Sequence, residues 1–296
     1  MQFGGHETFT LREGWLHKGL SLVSSDSNAF NDEFVADVLG VGRNMAKSIR
    51  HWLVATGVAR ESEGSLKPTR LGELVLKYDP YFVSATTWWL LHAELVGNSE
   101  SAFTWNWFFS QFHADRFERP SALEALKRHV AFARTRPPKP ETLSRDLNCM
   151  LACYSRALPV TQDDPEDTKL SPLINLGLLD QFTESGQYRR NRGPKAIHDS
   201  VFAYAIVRAY ERRGEAVPTT VTLNDLSRLD CGPVSVFSLG MDALHETIDA
   251  SFNASDDPVI RISGLAGQRT LQLSQTSSLQ LIKRALKHSQ EEQHVS

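Results

Sequence analysis

The first 18 residues hold the densest group of side chains that could cleave a phosphodiester. The group follows the pair Gly4-Gly5 and consists of His6, Glu7, Arg12 and Lys18. A histidine can act as a general base, a glutamate can ligate a divalent metal, and a cation can stabilise charge on a phosphate. The segment therefore predicts a catalytic site that would use Mg²⁺ or Mn²⁺.

A structural role competes with this interpretation. The same segment contains Phe9, Leu11 and Trp15, whose burial would attach an N-terminal arm to the fold. Signatures of nucleotide-dependent enzymes are missing, because the chain has no Walker phosphate loop and no G-x-G-x-x-G. We expect no nucleotide cofactor.

Residues 34–58 have the pattern of a helix-turn-helix. Ala36 and Leu39 mark a first helix, Gly40 permits a sharp turn, and Val41 closes the corner. A second helix is predicted over 43–55. Its apolar residues recur at the helical period and face inward: Ala46, Ile49 and Leu53.

The opposite face of this second helix is basic. It carries Arg43, Asn44, Lys47 and Arg50, and no acidic residue occurs between Asp37 and Glu61. Cations on such a face bind phosphates, and Arg or Asn can read base edges in the major groove. The pattern favours DNA contact over the alternative of a solvated basic face.

Two basic hairpins could add to this interface. The first is predicted over 60–67, with Lys67 and Arg70 at its far side. The second is predicted with arms at 178–182 and 187–192 and a turn at 184–186, and the basic segment 187–195 has no acid. Its candidate DNA-binding residues are Tyr188, Arg189, Arg190, Arg192 and Lys195. An aromatic face at Tyr188 could stack on a base or sugar. The alternative is an ordinary exposed arm.

Composition sets the wider limits. The 296 residues carry a formal charge of −3, so a DNA site must be a local basic surface and not the net field of the molecule. Three cysteines are too few for a disulfide framework and predict reduced thiols. No window of about 18 apolar residues suggests a membrane span, and no signal peptide is recognisable. We expect a cytoplasmic protein.

The fold class predicted is α+β and mostly helical. We expect two winged-helix-like domains, at 1–132 and 141–296, the second with a small C-terminal α/β extension. The proline-rich segment 131–140 is the predicted linker. Residues 82–132 are rich in aromatics and predict a packed helical layer. Strand-like runs at 258–263 and 269–274 predict a hairpin joined at 264–267.

Several segments resemble one protein family. Residues 4–19, GGHETFTLREGWLHKG, resemble the opening of SspB-type proteins of bacterial single-strand DNA phosphorothioation operons, a family formerly of unknown function. The resemblance continues in the same order through LGVGRNMAKSIRHWLVATGV, LKPTRLGELVLKYDPYF, TTWWLLHAELV, FTWNWFFSQF and LSPLINLGLLDQF. It covers most of the chain. The family's opening box matches Gly5, His6, Thr8, Phe9, Arg12, Gly14, Trp15 and Lys18.

The resemblance implies a DNA-binding component of an antiphage modification system, one that nicks a strand so that sulfur can be inserted. It also implies double-stranded DNA as a partner, together with a cysteine desulfurase, an ATPase and an ATP pyrophosphatase. The resemblance supports a role in this process better than it identifies catalytic residues. A non-catalytic adaptor that recruits the sulfur-transfer enzymes and a winged-helix transcription regulator stay open as alternatives. A homodimer is one open assembly.

Overall fold

The structure is a computed structural model. It describes residues 2–133, 136–159, 171–253, 258–264, 269–274 and 276–295. The fold is mixed α+β and mostly helical, as the sequence predicts. No helix among these described residues is long and apolar enough to cross a membrane.

The N-terminal part forms a compact module of helices and one hairpin. Its elements are α1 (Trp15–Ser25), a 3-10 turn (Ala29–Asn31), α2 (Val35–Leu39), α3 (Arg43–Ala55), β1 (Ala59–Ser62), β2 (Ser65–Pro68) and α4 (Arg70–Tyr78). The helix predicted over 43–55 has the bounds of α3. The hairpin β1–β2 is antiparallel, with Arg60 opposite Lys67. We call α2, α3, β1 and β2 the basic module.

Local sequence explains why α2 and α3 pack as they do. Gly40 ends α2 in a left-handed conformation with φ 66°, which suits glycine best. The inner face of α3 is fully buried at Ile49, Trp52 and Leu53. Gly19 of α1 lets the two helices approach, because a Cβ there would lie 2.7 Å from the side chain of Ile49.

An aromatic helical layer follows, as predicted. The central elements are α5 (Ala85–Gly97), α6 (Phe103–Ser110), β3 (Arg116–Glu118), α7 (Arg119–Ala133), α8 (Pro140–Tyr154) and β4 (Ser155–Leu158). Four tryptophans of α5 and α6 are buried: Trp88, Trp89, Trp105 and Trp107. This confirms the predicted packed layer.

A four-stranded sheet joins the two sides of the predicted linker. Its order is β3-β6-β5-β4, with β5 (Leu179–Phe182) and β6 (Gln187–Arg190) forming the hairpin predicted there. Strand β3 precedes the linker and pairs with β6, which follows it. The buried apolar residues form one continuous core across both sides. Residues 134 and 135 of the linker lie outside the described residues.

The C-terminal part adds helices and a small sheet. Its elements are α9 (Asp199–Arg213), β7 (Thr220–Thr222), α10 (Leu223–Arg228), α11 (Pro233–Val236), α12 (Met241–Asn253), β8 (Ile260–Ser263), β9 (Thr270–Leu273) and α13 (Ser278–Val295). Strands β8 and β9 pair antiparallel, which confirms the predicted hairpin arms. The turn predicted at 264–267 falls mostly outside the described residues. Helix α13 packs on both α9 and α4 and so connects the C-terminal part of the fold to the N-terminal part.

Candidate nucleic-acid interface

The basic face of α3 is exposed where the sequence predicts it. Arg43, Asn44 and Lys47 are exposed, and Arg50 is half-buried. Arg50 donates to Asn31 Oδ1 and to Glu61 Oε1, both at 3.3 Å. Arg43 and Lys47 form no ion pair or hydrogen bond through their side chains within the described parts of the chain. Their charges are therefore available to a ligand.

The hairpin β1–β2 extends this basic surface. Arg60 is exposed and Lys67 is half-buried, and neither has an acidic partner among the residues described. Arg70, at the start of α4, pairs with Glu73 at 2.7 Å on the surface. The tip of the hairpin is held to the module because Asn31 donates to the Gly64 carbonyl at 2.7 Å. A fixed hairpin can present its cations beside α3.

A cleft of about 740 Å³ opens between the basic module and the helices α9 and α13. One wall carries Lys47, Arg50, Arg60 and Arg70. The other wall carries Arg208 of α9 and the first turn of α13. Five cations and two carboxylates line it, which leaves an excess of three positive charges. Such a surface attracts phosphate.

The wall of the cleft opposite α3 contains an ion cluster centred on Glu94. Arg208 binds both oxygens of this carboxylate at 3.0 Å, Arg212 donates at 2.8 Å, and the Tyr204 hydroxyl donates at 2.5 Å. Burial alone would raise the pKa of Glu94, but the charge of Arg212 and the hydrogen bond and charge of Arg208 outweigh it and lower the pKa to about 2. The cluster joins α5 to α9 and keeps the wall in place.

Nothing in the local sequence signals this cluster. Arg208 and Arg212 lie one turn apart on α9, but this spacing does not identify an anionic partner. Glu94 lies more than a hundred residues earlier in the chain. Sequence reasoning missed Glu94, Tyr204 and Arg208 for that reason.

His51 faces the cleft beside Lys47 and Arg50. Burial, and then the nearby His6 ring, lower the pKa of His51 to about 3, so the imidazole is neutral at physiological pH. Gly5 permits its position, because a Cβ there would lie 2.4 Å from His51 Nδ1. The ring nitrogens of His51 form no hydrogen bond with any residue described.

The N-terminal box attaches to the core through His6. His6 is 1% exposed, and its Nε2 lies 3.0 Å from Asp146 Oδ1. The backbone N–H of Thr8 donates to His6 Nδ1 at 3.1 Å. Asp146 also accepts from the Gly4 N–H and the Thr104 hydroxyl. With Nδ1 accepting, Nε2 carries the proton, so both ring nitrogens are occupied inside the core.

The structure does not gather the other box residues around His6. Glu7 is half-buried with φ 50°, a left-handed conformation that is uncommon outside glycine. The Arg12 guanidinium lies over the rings of Phe9 and Trp15, at 5.5 and 5.3 Å from their centroids. Lys18 is exposed and lines a separate depression between α1 and α2. None of the four predicted catalytic residues lines the cleft.

The second basic arm is not the exposed element that the sequence suggested. Tyr188 is 8% exposed and stacks on Phe117, with an angle of 11° between the rings. Arg190 is 5% exposed and donates to the carbonyls of Phe108, Phe112 and Ala114. Burial, and then the charge of Arg192, lower the pKa of Arg190 to about 9. These two side chains serve the core.

The remaining cations of the arm have partners. Arg189 pairs with Asp180 at 2.8 Å, and Arg192 pairs with Asp115. Lys195 is buried and donates to the carbonyls of Asn191 and Gly193, and burial lowers its pKa to about 8. The cations of this arm are therefore held by partners within the fold.

The described residues contain no cluster of three or more His, Cys, Asp or Glu side chains that could hold a metal ion. Mg²⁺ prefers carboxylate and other oxygen ligands in an octahedral arrangement. In the cleft, Glu94 is already held by two guanidinium groups. The described residues therefore do not form a ready magnesium site.

Comparison with known proteins places the chain in a family. Residues 3–289 match DUF4007, a protein family of unknown function. The chain belongs to the DUF4007 family. No curated protein matches the chain significantly.

Two solved structures share the fold. They are a crystal structure of magnesium ion-bound SspB, with a TM-score of 0.82, and a crystal structure of SspB, with a TM-score of 0.81. Each is 24% identical to this chain, and each alignment covers 98% of this chain and 88% of the SspB chain. The resemblance to SspB-type proteins noted in the sequence is thus confirmed by the fold.

Proposed function

We propose that this protein binds double-stranded DNA through the basic module, acting as a winged helix, within a single-strand DNA phosphorothioation system. In this arrangement α3 is the recognition helix and β1–β2 is the wing. The observation that carries the proposal is the row of unpaired cations on one surface: Arg43, Lys47, Arg60 and Lys67. Recognition helices contact bases with their N-terminal residues, which here are Arg43 and Asn44. The SspB-like fold supports the assignment to phosphorothioation.

Fluorescence anisotropy with a labelled duplex at several salt concentrations tests the DNA-binding proposal. A variant with Arg43, Lys47 and Arg60 changed to Ala should lose at least tenfold in affinity. Its salt slope should fall by up to about 2.7, since each lost phosphate contact contributes about 0.9. A matched control changes three exposed arginines near β3, α7 and α8 to Ala: Arg116, Arg128 and Arg145.

The control should bind within about twofold of the wild type. Equal losses in both variants would mean that binding follows total charge and would contradict a specific interface on α3. Normal melting of the triple variant, expected because the three side chains are exposed, ensures that folding is not the cause.

Nicking of one DNA strand is the second candidate function. It is favoured by the SspB-like fold, and one of the similar SspB structures holds a magnesium ion. Supercoiled plasmid incubated with the purified protein and Mg²⁺ or Mn²⁺, and in parallel with EDTA, tests it. Metal-dependent formation of nicked circles supports this candidate, and their absence with both ions contradicts it.

The variant His6→Ala then separates catalysis from structure. If His6 is the catalytic base, the variant folds normally and loses nicking. Because both His6 nitrogens are occupied in the core, we expect the other outcome, which is earlier melting and normal nicking per folded molecule. In that case the catalytic groups lie outside the N-terminal box.

A further inference from the structure

The cleft lies beside the proposed duplex surface and, unlike that surface, has a second wall. Arg43 and Asn44, at the N-terminal end of α3, do not line the cleft, whereas Lys47, Arg50 and Val54 do. The C-terminal half of α3 therefore faces a second wall made by α9 and α13. A recognition helix that only contacts duplex DNA needs no such wall.

The size of the cleft suits a small group. Its volume of about 740 Å³ lies within the 300–1,000 Å³ that is typical of sites for small molecules. A nucleotide that leaves the helical stack enters pockets of this kind, where it is read along its base edge and packed between flat or apolar side chains. The cleft can take one such nucleotide.

The charged lining of the cleft fits a phosphate. Lys47 and Arg60 line it from the module side, and neither charge has a partner among the described residues. Ser278 lines it from the first turn of α13, an 18-residue helix capped by Ser277 and Gln280. The N–H groups and dipole at this end favour an anion and add to the two cations.

The uncharged lining of the cleft fits a base. His51 presents a neutral ring without a hydrogen-bond partner among the described residues, and Val54, Leu279 and Ile282 supply apolar surface. Leu279 is 42% exposed, so its side chain is accessible to a ligand in the cleft. A neutral imidazole can both donate and accept, as a base edge requires.

We infer that the cleft binds one unpaired nucleotide of a DNA strand while the adjoining duplex lies along α3 and the wing. The inference rests on the proposed duplex binding and adds a second ligand site to it. Lys47 and Arg60 then neutralise the phosphate of the extruded nucleotide, and His51 contacts its base.

Two labelled duplexes test this assignment, one fully paired and one with a single bulged thymidine. The wild-type protein should bind the bulged duplex about tenfold more tightly, because only that duplex offers a nucleotide without the cost of unpairing. Equal affinity for both duplexes would overturn the inference.

A matched pair of charge variants assigns any preference to the cleft. Ser278→Glu and Gln280→Glu each add one negative charge to the first turn of α13, where it favours the helix. Only Ser278 lines the cleft, and Glu at position 280 retains the capping box with Ser277. Ser278→Glu should reduce the tenfold preference to less than twofold, and Gln280→Glu should retain it. Retention in both variants would overturn the assignment.

A second pair of variants fills space without adding charge. Leu279→Trp places a large ring at the cleft, and Met241→Trp places one at an exposed site on α12, away from the cleft. Only Leu279→Trp should abolish the preference for the bulged duplex, while both variants should bind the paired duplex normally.

The two proposals fail in distinguishable ways. If the wild-type protein does not bind the paired duplex at all, the proposed function is overturned. If the wild-type protein binds both duplexes equally and the triple variant of Arg43, Lys47 and Arg60 still weakens binding, only the cleft assignment is overturned. Calorimetry with free dTMP examines the other source of a nucleotide. Binding of dTMP that Ser278→Glu abolishes, without a preference for the bulge, would assign the cleft to a free nucleotide and overturn the DNA-strand assignment.

Discussion

The chain contains two basic hairpins of similar appearance in sequence, and the fold uses them in opposite ways. On β1–β2 and the adjoining α3, the cations are exposed and several have no partner in the described structure. On β6, one arginine is buried under three carbonyls and another is paired with Asp180. A cluster of cations in a sequence therefore indicates binding only if the fold leaves the charges without partners.

Among the substitutions that test this comparison of the two hairpins, the largest effect is expected at Arg190, where stability should fall. Arg190→Met keeps most of the apolar contact with Phe108 but leaves three carbonyl groups without their donor. Unfolding in urea should show a loss of about 3 kcal/mol, because unsatisfied buried acceptors are costly. DNA affinity per folded molecule should not change. A stable variant with weakened DNA binding would reverse the roles of the two hairpins.

Glu94 provides a case in which cations of the cleft wall are locked by a carboxylate. Its pKa is about 2 in the fold and near 4.5 in the unfolded chain. The ionised form thus contributes about 3 kcal/mol of stability, fully present above pH 4.5 and lost as the pH falls towards 2. Thermal melting from pH 6 to pH 2 should show this loss, and Glu94→Gln should flatten the dependence. An unchanged pH profile in the variant would contradict the cluster.

A smaller effect is expected from a single unpaired cation. Lys47→Gln should reduce duplex affinity about threefold to tenfold and lower the salt slope by about 0.9, which corresponds to one phosphate contact. The free energy of unfolding should stay within about 0.5 kcal/mol, because the side chain is exposed. Titrations at three salt concentrations measure the slope.

The smallest effect is expected from the paired cations of the second arm. Arg189→Gln combined with Arg192→Gln removes two positive charges, the same change that would be costly on α3. Because Asp180 and Asp115 already offset these charges, duplex affinity should stay within about twofold. A loss equal to that of two α3 cations would return the second arm to the interface.

The elements of the basic module could be predicted because their signals are local. The apolar period and Gly40 fixed α2 and α3, and the sequence predicted the hairpin arms of β5 and β6 as well. The prediction that the second arm has free cations could have been corrected from the sequence. A turn at 184–186 places Asp180 opposite Arg189 in the hairpin register, so an acidic partner for the arm lies on the neighbouring strand.

The cleft could not be predicted in the same way. Its walls come from α3, α5, α9 and α13, which are brought together by packing and not by any spacing in the chain. The burial of His6 was equally hidden, since its partner Asp146 lies 140 residues away. The residue types therefore predicted a catalytic site at the N-terminus, whereas the fold exposes its unpaired cations on α3 and the hairpin β1–β2.

The position of α13 has a consequence for synthesis of the protein on the ribosome. The helix contacts α4 and α9 and supplies Ser278 and Leu279 to the cleft, yet it follows every other described element in the chain. A nascent chain that has emerged only through α12 already carries the exposed cations of α3, but it lacks one wall of the cleft. Domains fold as their residues emerge, so under the two proposals a growing chain would present its duplex-binding cations before the cleft for the unpaired nucleotide is complete.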